Sequence, residues 1–233
     1  MNPPLPPPLP PSAVTATAVN AVPDPTTLLG RLLRTPQSLV AADDDSVPPR
    51  LFALGLVGTL VYGLVLASFS MGPHWWAPPL KASLGLMVAL LLCAPSLFVF
   101  ASLSGARMRG RDVLVLLAGL HGLASLLLLS LAPVAWVFSQ STQSPGFIGA
   151  LHWIFWLVAA GFGLRLVGRG LRLLGANASG GFGVWAILFL LVCFQMATSV
   201  RPLLADSEQL LPAGKKSFLA HWGDVMGEQT PAQ

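Results

Sequence analysis

His121 lies near the middle of residues 113–132, VLVLLAGLHGLASLLLLSLA, a run that is otherwise mostly apolar. An imidazole at membrane depth can relay protons, bind a ligand or hydrogen-bond a neighbouring helix. A charged imidazole would need a carboxylate, and no long apolar run of this chain contains Asp or Glu. We therefore interpret His121 as a neutral structural side chain and keep a proton-relay or ligand role as the alternative.

The preceding apolar run offers His121 a partner. With a rise of 1.5 Å per residue, His121 lies about 12 Å and Ser96 about 11 Å from the same end of the two runs. The short linker SGARMRGRD favours antiparallel neighbours. We predict a hydrogen bond from His121 to Ser96, with Ser125 as the competitor on the same helix. Ala118 and Gly122 complete a small face that should pack on that helix or another neighbour.

Two more polar side chains inside apolar runs need partners, because lipid supplies none. We expect Gln195 to bond another helix, and Tyr62 lies beside a stripe of small residues. A small residue at every fourth position lets a second helix approach closely, so we interpret the stripe as a packing face. Its members are Gly55, Thr59, Gly63 and Ala67.

The sequence shows no pattern typical of catalysis or of metal binding. It contains no HExxH motif, no GxSxG context and no phosphate-binding loop. Cys93 and Cys193 lie inside apolar runs and form no CxxC pair, which favours buried structural thiols. His74 and His152 lack a third ligand for zinc. We predict no catalytic residue, no metal and no cofactor.

Composition and run length predict a membrane protein. The chain is 54% hydrophobic and 9% charged, whereas soluble domains carry roughly a quarter charged residues. A bilayer core of about 30 Å needs roughly 20 helical residues. We therefore predict an all-α polytopic helical bundle with about five transmembrane helices within residues 51–203. These are residues 51–71, 82–103, 113–132, 147–164 and 182–200.

Proline, basic and aromatic residues refine this arrangement. Pro95 should kink the second span, and Pro133 directly follows the third. Basic residues before, between and after the spans number three, one, three, none, three and three. Positive charge accumulates on the cytoplasmic side, so we predict a cytoplasmic N-terminus and an outside C-terminus. The predicted anchors at the outer interface are Lys81, Trp75, Trp76 and Trp136.

Both ends of the chain show features of their own. Residues 1–23 are proline-rich and predict a disordered tail, and residues 42–50 form a polar hinge. Between them, residues 24–41 predict an amphipathic helix that lies in the membrane interface, begun by Asp24 and Pro25. Its apolar residues are Leu28, Leu29, Leu32 and Leu33. The stretch KKSFLAHWGDVMG in the tail of residues 204–233 predicts a second interfacial helix.

The segment LLGRLLRTPQSL, followed by a polar hinge and five spans, resembles bacterial Yip1-like integral membrane proteins. The stretches VYGLVLASF, PLKASLGLMVALLLCAPSLFVF and FQMATSVRPL are similar to those of uncharacterised bacterial polytopic proteins. The resemblance covers roughly residues 26–227. It implies a fold and a topology, and with them a bacterial inner membrane, but no catalytic residue.

These observations favour a non-enzymatic integral membrane protein. We expect a scaffold or accessory subunit that binds other membrane proteins or itself, and the alternative is a transporter or channel subunit. A polar-lined cavity would favour the transporter, and a close-packed apolar bundle would favour the scaffold. The net charge of +4 does not indicate nucleic-acid binding, because the basic residues lie at the ends of apolar runs.

Overall fold

The computed structural model describes residues 27–34, 37–41, 44–68, 76–142, 144–177 and 181–199. Within these ranges every element is a helix, so the all-α prediction is confirmed. The helices are α1 (Leu28–Arg34), α2 (Gln37–Ala41), α3 (Val47–Ala67), α4 (Ala77–Leu103), α5 (Gly110–Ser141), α6 (Pro145–Leu173) and α7 (Gly181–Ser199).

Four of these helices, α3 to α6, are long and apolar enough to cross a membrane. These four helices fit the expectation of a transmembrane helical protein. The apolar part of α7, Gly181–Met196, is shorter. The count of five spans stays a prediction.

Two helices continue past the ends of the membrane spans predicted for them. α5 has 32 residues and runs through Pro133 to Ser141, beyond the span predicted to end at Ala132. α6 passes Arg165 and ends at Leu173. Both helices can continue because a proline removes only one backbone hydrogen bond and a charged residue ends an apolar run without ending the helix. At 1.5 Å per residue α5 is about 48 Å long, more than the hydrocarbon core.

The bundle is built around α5, which packs mainly against α3 and α6. α4 packs against α3 and α7 and touches α5 only slightly. All seven described helices contribute side chains to the core, and those from α3 to α7 include the fully buried Leu51, Leu90, Leu97, Leu117, Val167 and Trp185.

The N-terminal segment packs one face against the bundle and leaves the other face exposed. Leu32 of α1 and Leu39 of α2 are each only 1% exposed and belong to the main core. Leu29 and Leu33 are exposed. The guanidinium of Arg31 donates to the Ser38 carbonyl at 2.7 Å and ties the two short helices together. The structure thus shows two short helices, each with one leucine in the core, in the segment where one amphipathic helix was predicted, and the interfacial location stays a prediction.

Several predictions concern residues outside the described ranges. They are the tail 1–23, the helix start at Asp24 and Pro25, the anchor Trp75, His74 and the C-terminal helix within 204–233. The backbone of Lys81 is part of α4, but its side chain is outside the described part.

Candidate functional site

His121 occupies a slot between α5 and α3. Its side chain has no exposed surface. The slot exists because α3 carries glycine at position 55, where a Cβ atom would lie 2.6 Å from His121 Cγ. The Phe52 ring closes one side, tilted, with its centroid 6.1 Å from that of the imidazole. Any residue larger than glycine at position 55 would collide with the imidazole, so Gly55 is what leaves room for the His121 ring.

The predicted hydrogen bond between His121 and Ser96 is wrong. Neither ring nitrogen of His121 has a hydrogen-bond partner among the described residues. The Ser96 hydroxyl donates to the Cys93 carbonyl at 2.9 Å, and the Ser125 hydroxyl donates to the Gly122 carbonyl at 2.8 Å. Serine in a helix readily bonds the preceding turn of its own backbone, which leaves no donor for the imidazole.

Small residues meet along the seam between α3 and α5. A Cβ atom on Gly58 would lie 2.9 Å from Ser125 Cβ, and one on Gly122 would lie 3.5 Å from the Leu51 carbonyl oxygen. Ala118 is fully buried. The small face of α5 therefore packs on α3, one of the neighbours that the sequence left open.

The stripe on α3 contacts two helices rather than one. Gly55 faces α5, whereas a Cβ atom on Gly63 would lie 2.5 Å from Pro79 Cα of α4. Thr59 is buried, and its hydroxyl donates to the Gly55 carbonyl at 2.9 Å. Ala67 is buried as well. Small residues four apart thus follow the groove between α4 and α5.

A second buried polar pair joins α3 to α6. Tyr62 Oη lies 2.7 Å from His152 Nδ1, and the two rings meet edge to face with centroids 5.5 Å apart. His152 Nε2 is buried without a partner among the described residues. The sequence indicated that Tyr62 needs a partner, but it gave no sign that α3 and α6 turn these two residues toward each other.

Sequence reasoning also missed Trp185 of α7. Its side chain is fully buried, it stacks on Phe189 with centroids 5.5 Å apart, and its Nε1 donates to the Cys93 carbonyl at 3.2 Å. Pro95 lies inside α4, which runs on without a break. The Cys93 carbonyl, two residues before Pro95, thus accepts hydrogen bonds from both Trp185 Nε1 and the Ser96 hydroxyl.

The remaining predicted residues lie apart from these pairs. Trp76, which directly precedes α4, Trp136 of α5 and Gln195 of α7 are all exposed. Cys93 and Cys193 are free buried thiols. In the described part of the chain no group of three or more His, Cys, Asp or Glu side chains could hold a metal ion.

The buried polar groups thus serve helix contacts. His121 is enclosed by neighbouring side chains, and Tyr62 and His152 bond each other between two helices. Such contacts fix the register and rotation of packed helices. Comparison of the chain with protein-family models, with curated proteins and with solved structures found no match, so the resemblance to Yip1-like proteins stays a prediction.

Proposed function

We propose that this chain is a non-enzymatic scaffold or accessory subunit that binds other membrane proteins or itself. The observation that carries the proposal is the tight seam between α3 and α5, where even one methyl group at Gly55 would overlap His121. Helices this close leave no room for a substrate path between them. The small and polar residues of the seam are therefore suited to specific contact between helices.

The outer surface offers large apolar side chains to a partner helix. Leu92 on α4 and Ile187 on α7 are exposed, and both helices pack against each other. In a bilayer these side chains contact either lipid or another protein. A protein partner differs from lipid in that its helix packs closely against them. The α4–α7 surface is thus the first place to look for a partner.

We expect a photo-crosslinking residue at Leu92 or at Ile187 to form one discrete adduct with the same membrane protein in intact cells. The matched control is the same residue at Leu117, which is fully buried in α5 and should form none. Absence of any discrete adduct at both exposed positions would contradict the scaffold role.

A transporter subunit is the second candidate, because ionisable side chains with free polar atoms inside membrane helices can belong to ion and proton pathways. The ring nitrogens of His121 and Nε2 of His152 are such groups. A proton flux into reconstituted vesicles that His121→Leu abolishes, while the protein stays folded, would favour this role over the scaffold.

We further propose a bacterial inner-membrane location with a cytoplasmic N-terminus. Five spans then place the C-terminus outside, since the basic linkers face the cytoplasm. A reporter active only in the periplasm should be active after Gln233 and inactive when inserted at Gly110. An inactive fusion after Gln233 would contradict the five-span topology, and an active insertion at Gly110 would contradict the orientation.

A further inference from the structure

Arginine side chains gather where α4 and α6 end. The loops that follow these helices lie side by side, because the Arg107 amide donates to the Leu174 carbonyl at 2.8 Å and the Asn177 amide donates to the Ser104 carbonyl at 2.8 Å. Both turns rest on a glycine with positive φ, 85° at Gly105 and 92° at Gly175. Other residues would be strained in that conformation, so the two glycines allow the turns that bring the loops after α4 and α6 side by side.

Four of these arginines form what we call the arginine surface. They are Arg107, Arg109, Arg169 and Arg172, all exposed. The ion pairs within the described residues both involve Arg111, which bonds Asp45 at 3.1 Å and lies 3.9 Å from Asp112. The guanidiniums of the arginine surface therefore have no carboxylate partner in that part of the chain.

The nearby carboxylates are already engaged. Asp112 accepts the Arg109 amide at 2.7 Å at the start of α5. Asp44 accepts the Ser46 hydroxyl at 2.7 Å and the Ser46 amide at 2.9 Å, and these hydrogen bonds hold the pKa of Asp44 below its usual range. None of the three described carboxylates, Asp44, Asp45 and Asp112, forms an ion pair with the arginine surface, so its guanidiniums can bind an anion from outside the described chain.

Residue type identifies that group more closely. Every basic side chain that the structure describes is an arginine, although lysine would set membrane orientation equally well. A planar guanidinium donates two parallel hydrogen bonds to a phosphate, and a lysine ammonium acts as a point charge. Arginine at the ends of membrane-crossing helices stands at the depth of lipid headgroups.

We propose that the arginine surface binds the phosphate headgroups of anionic phospholipids in the adjoining leaflet. Unpaired positive charge selects anionic over zwitterionic lipid, and each arginine near the membrane surface strengthens that selection about fivefold. The proposal needs only the membrane embedding of the chain and does not depend on its role as a scaffold.

For the test, the full chain is reconstituted in nanodiscs of phosphatidylcholine that contain a minority of phosphatidylglycerol. Native mass spectrometry then releases the protein from the nanodisc and counts the lipid molecules of each kind that stay bound to it. Nanodiscs with the same lipids in both leaflets make the orientation of the chain irrelevant. We expect the wild type to retain phosphatidylglycerol preferentially. Arg107→Gln, Arg109→Gln, Arg169→Gln and Arg172→Gln together should abolish the preference.

Three controls make the outcome decisive. The same four positions changed to lysine should keep a weaker preference, and Arg165→Gln, outside the arginine surface, should keep all of it. Double variants at 107 and 109 and at 169 and 172 replace the fourfold variant if it does not fold. Equal retention of both lipids by the wild type, an unchanged preference in the glutamine variants, or complete displacement by inorganic phosphate would overturn the proposal.

Discussion

Gly55→Ala should destabilise the bundle by about 1–3 kcal/mol, the usual cost of overfilling a packed interior. The added methyl group would lie 2.6 Å from His121 Cγ, and the imidazole is a rigid ring enclosed by Phe52 and the α3 backbone. The cost should exceed the gain of about 0.5–1 kcal/mol that alanine brings to a helix interior. Unfolding by SDS, followed by tryptophan fluorescence, measures the change.

The matched control is Gly161→Ala in α6, where a Cβ atom would meet nothing within 4 Å. This variant should be neutral or slightly stabilised. His121→Ala should largely cancel the effect of Gly55→Ala, because it removes the atoms that the new methyl group meets. A Gly55→Ala variant as stable as the Gly161→Ala variant would show that α3 and α5 are not packed this closely.

The packing faces of the helices could be predicted from the sequence more easily than the partners of individual side chains. The stripe at Gly55 and Gly63 and the apolar runs are local periodic patterns, so they predicted a helical packing face. The partner of a side chain depends on how each helix is rotated. Ser96 satisfied its own hydroxyl, and α5 turned His121 to α3, which depth along the span could not reveal.

Helix ends and the N-terminal segment were difficult to predict for another physical reason. Hydropathy locates the apolar part of a helix, but α5 and α6 remain helical beyond the ends of their apolar runs. Leu29, Leu32 and Leu33 have the same chemistry, and what distinguishes them is a notch on α5, formed at Gly119 and Gly122, that receives Leu32 alone. Sequence periodicity assigned all of them to one interfacial face, whereas the bundle buries Leu32 alone among these three.

Leu32→Ala should release the N-terminal segment from the bundle. The Leu32 side chain is 1% exposed and reaches α5, with Cδ1 3.9 Å from the Cβ position of Gly119 and Cδ2 3.4 Å from that of Gly122. Truncating a buried leucine usually costs about 2–5 kcal/mol. We expect about 2 kcal/mol, the lower end of that range, because lipid can take up part of the apolar surface that leaves the notch.

Leu33→Ala is the matched control, since the neighbouring Leu33 is 50% exposed and should tolerate truncation. Arg34 follows these leucines and offers a tryptic cleavage site, so protease added to inside-out vesicles reports the release. Cleavage after Arg34 should be faster in the Leu32→Ala variant and unchanged in the Leu33→Ala variant. Equal cleavage of both variants would mean that α1 is held by its exposed face in the membrane interface and that the notch beside Gly119 and Gly122 does not retain it.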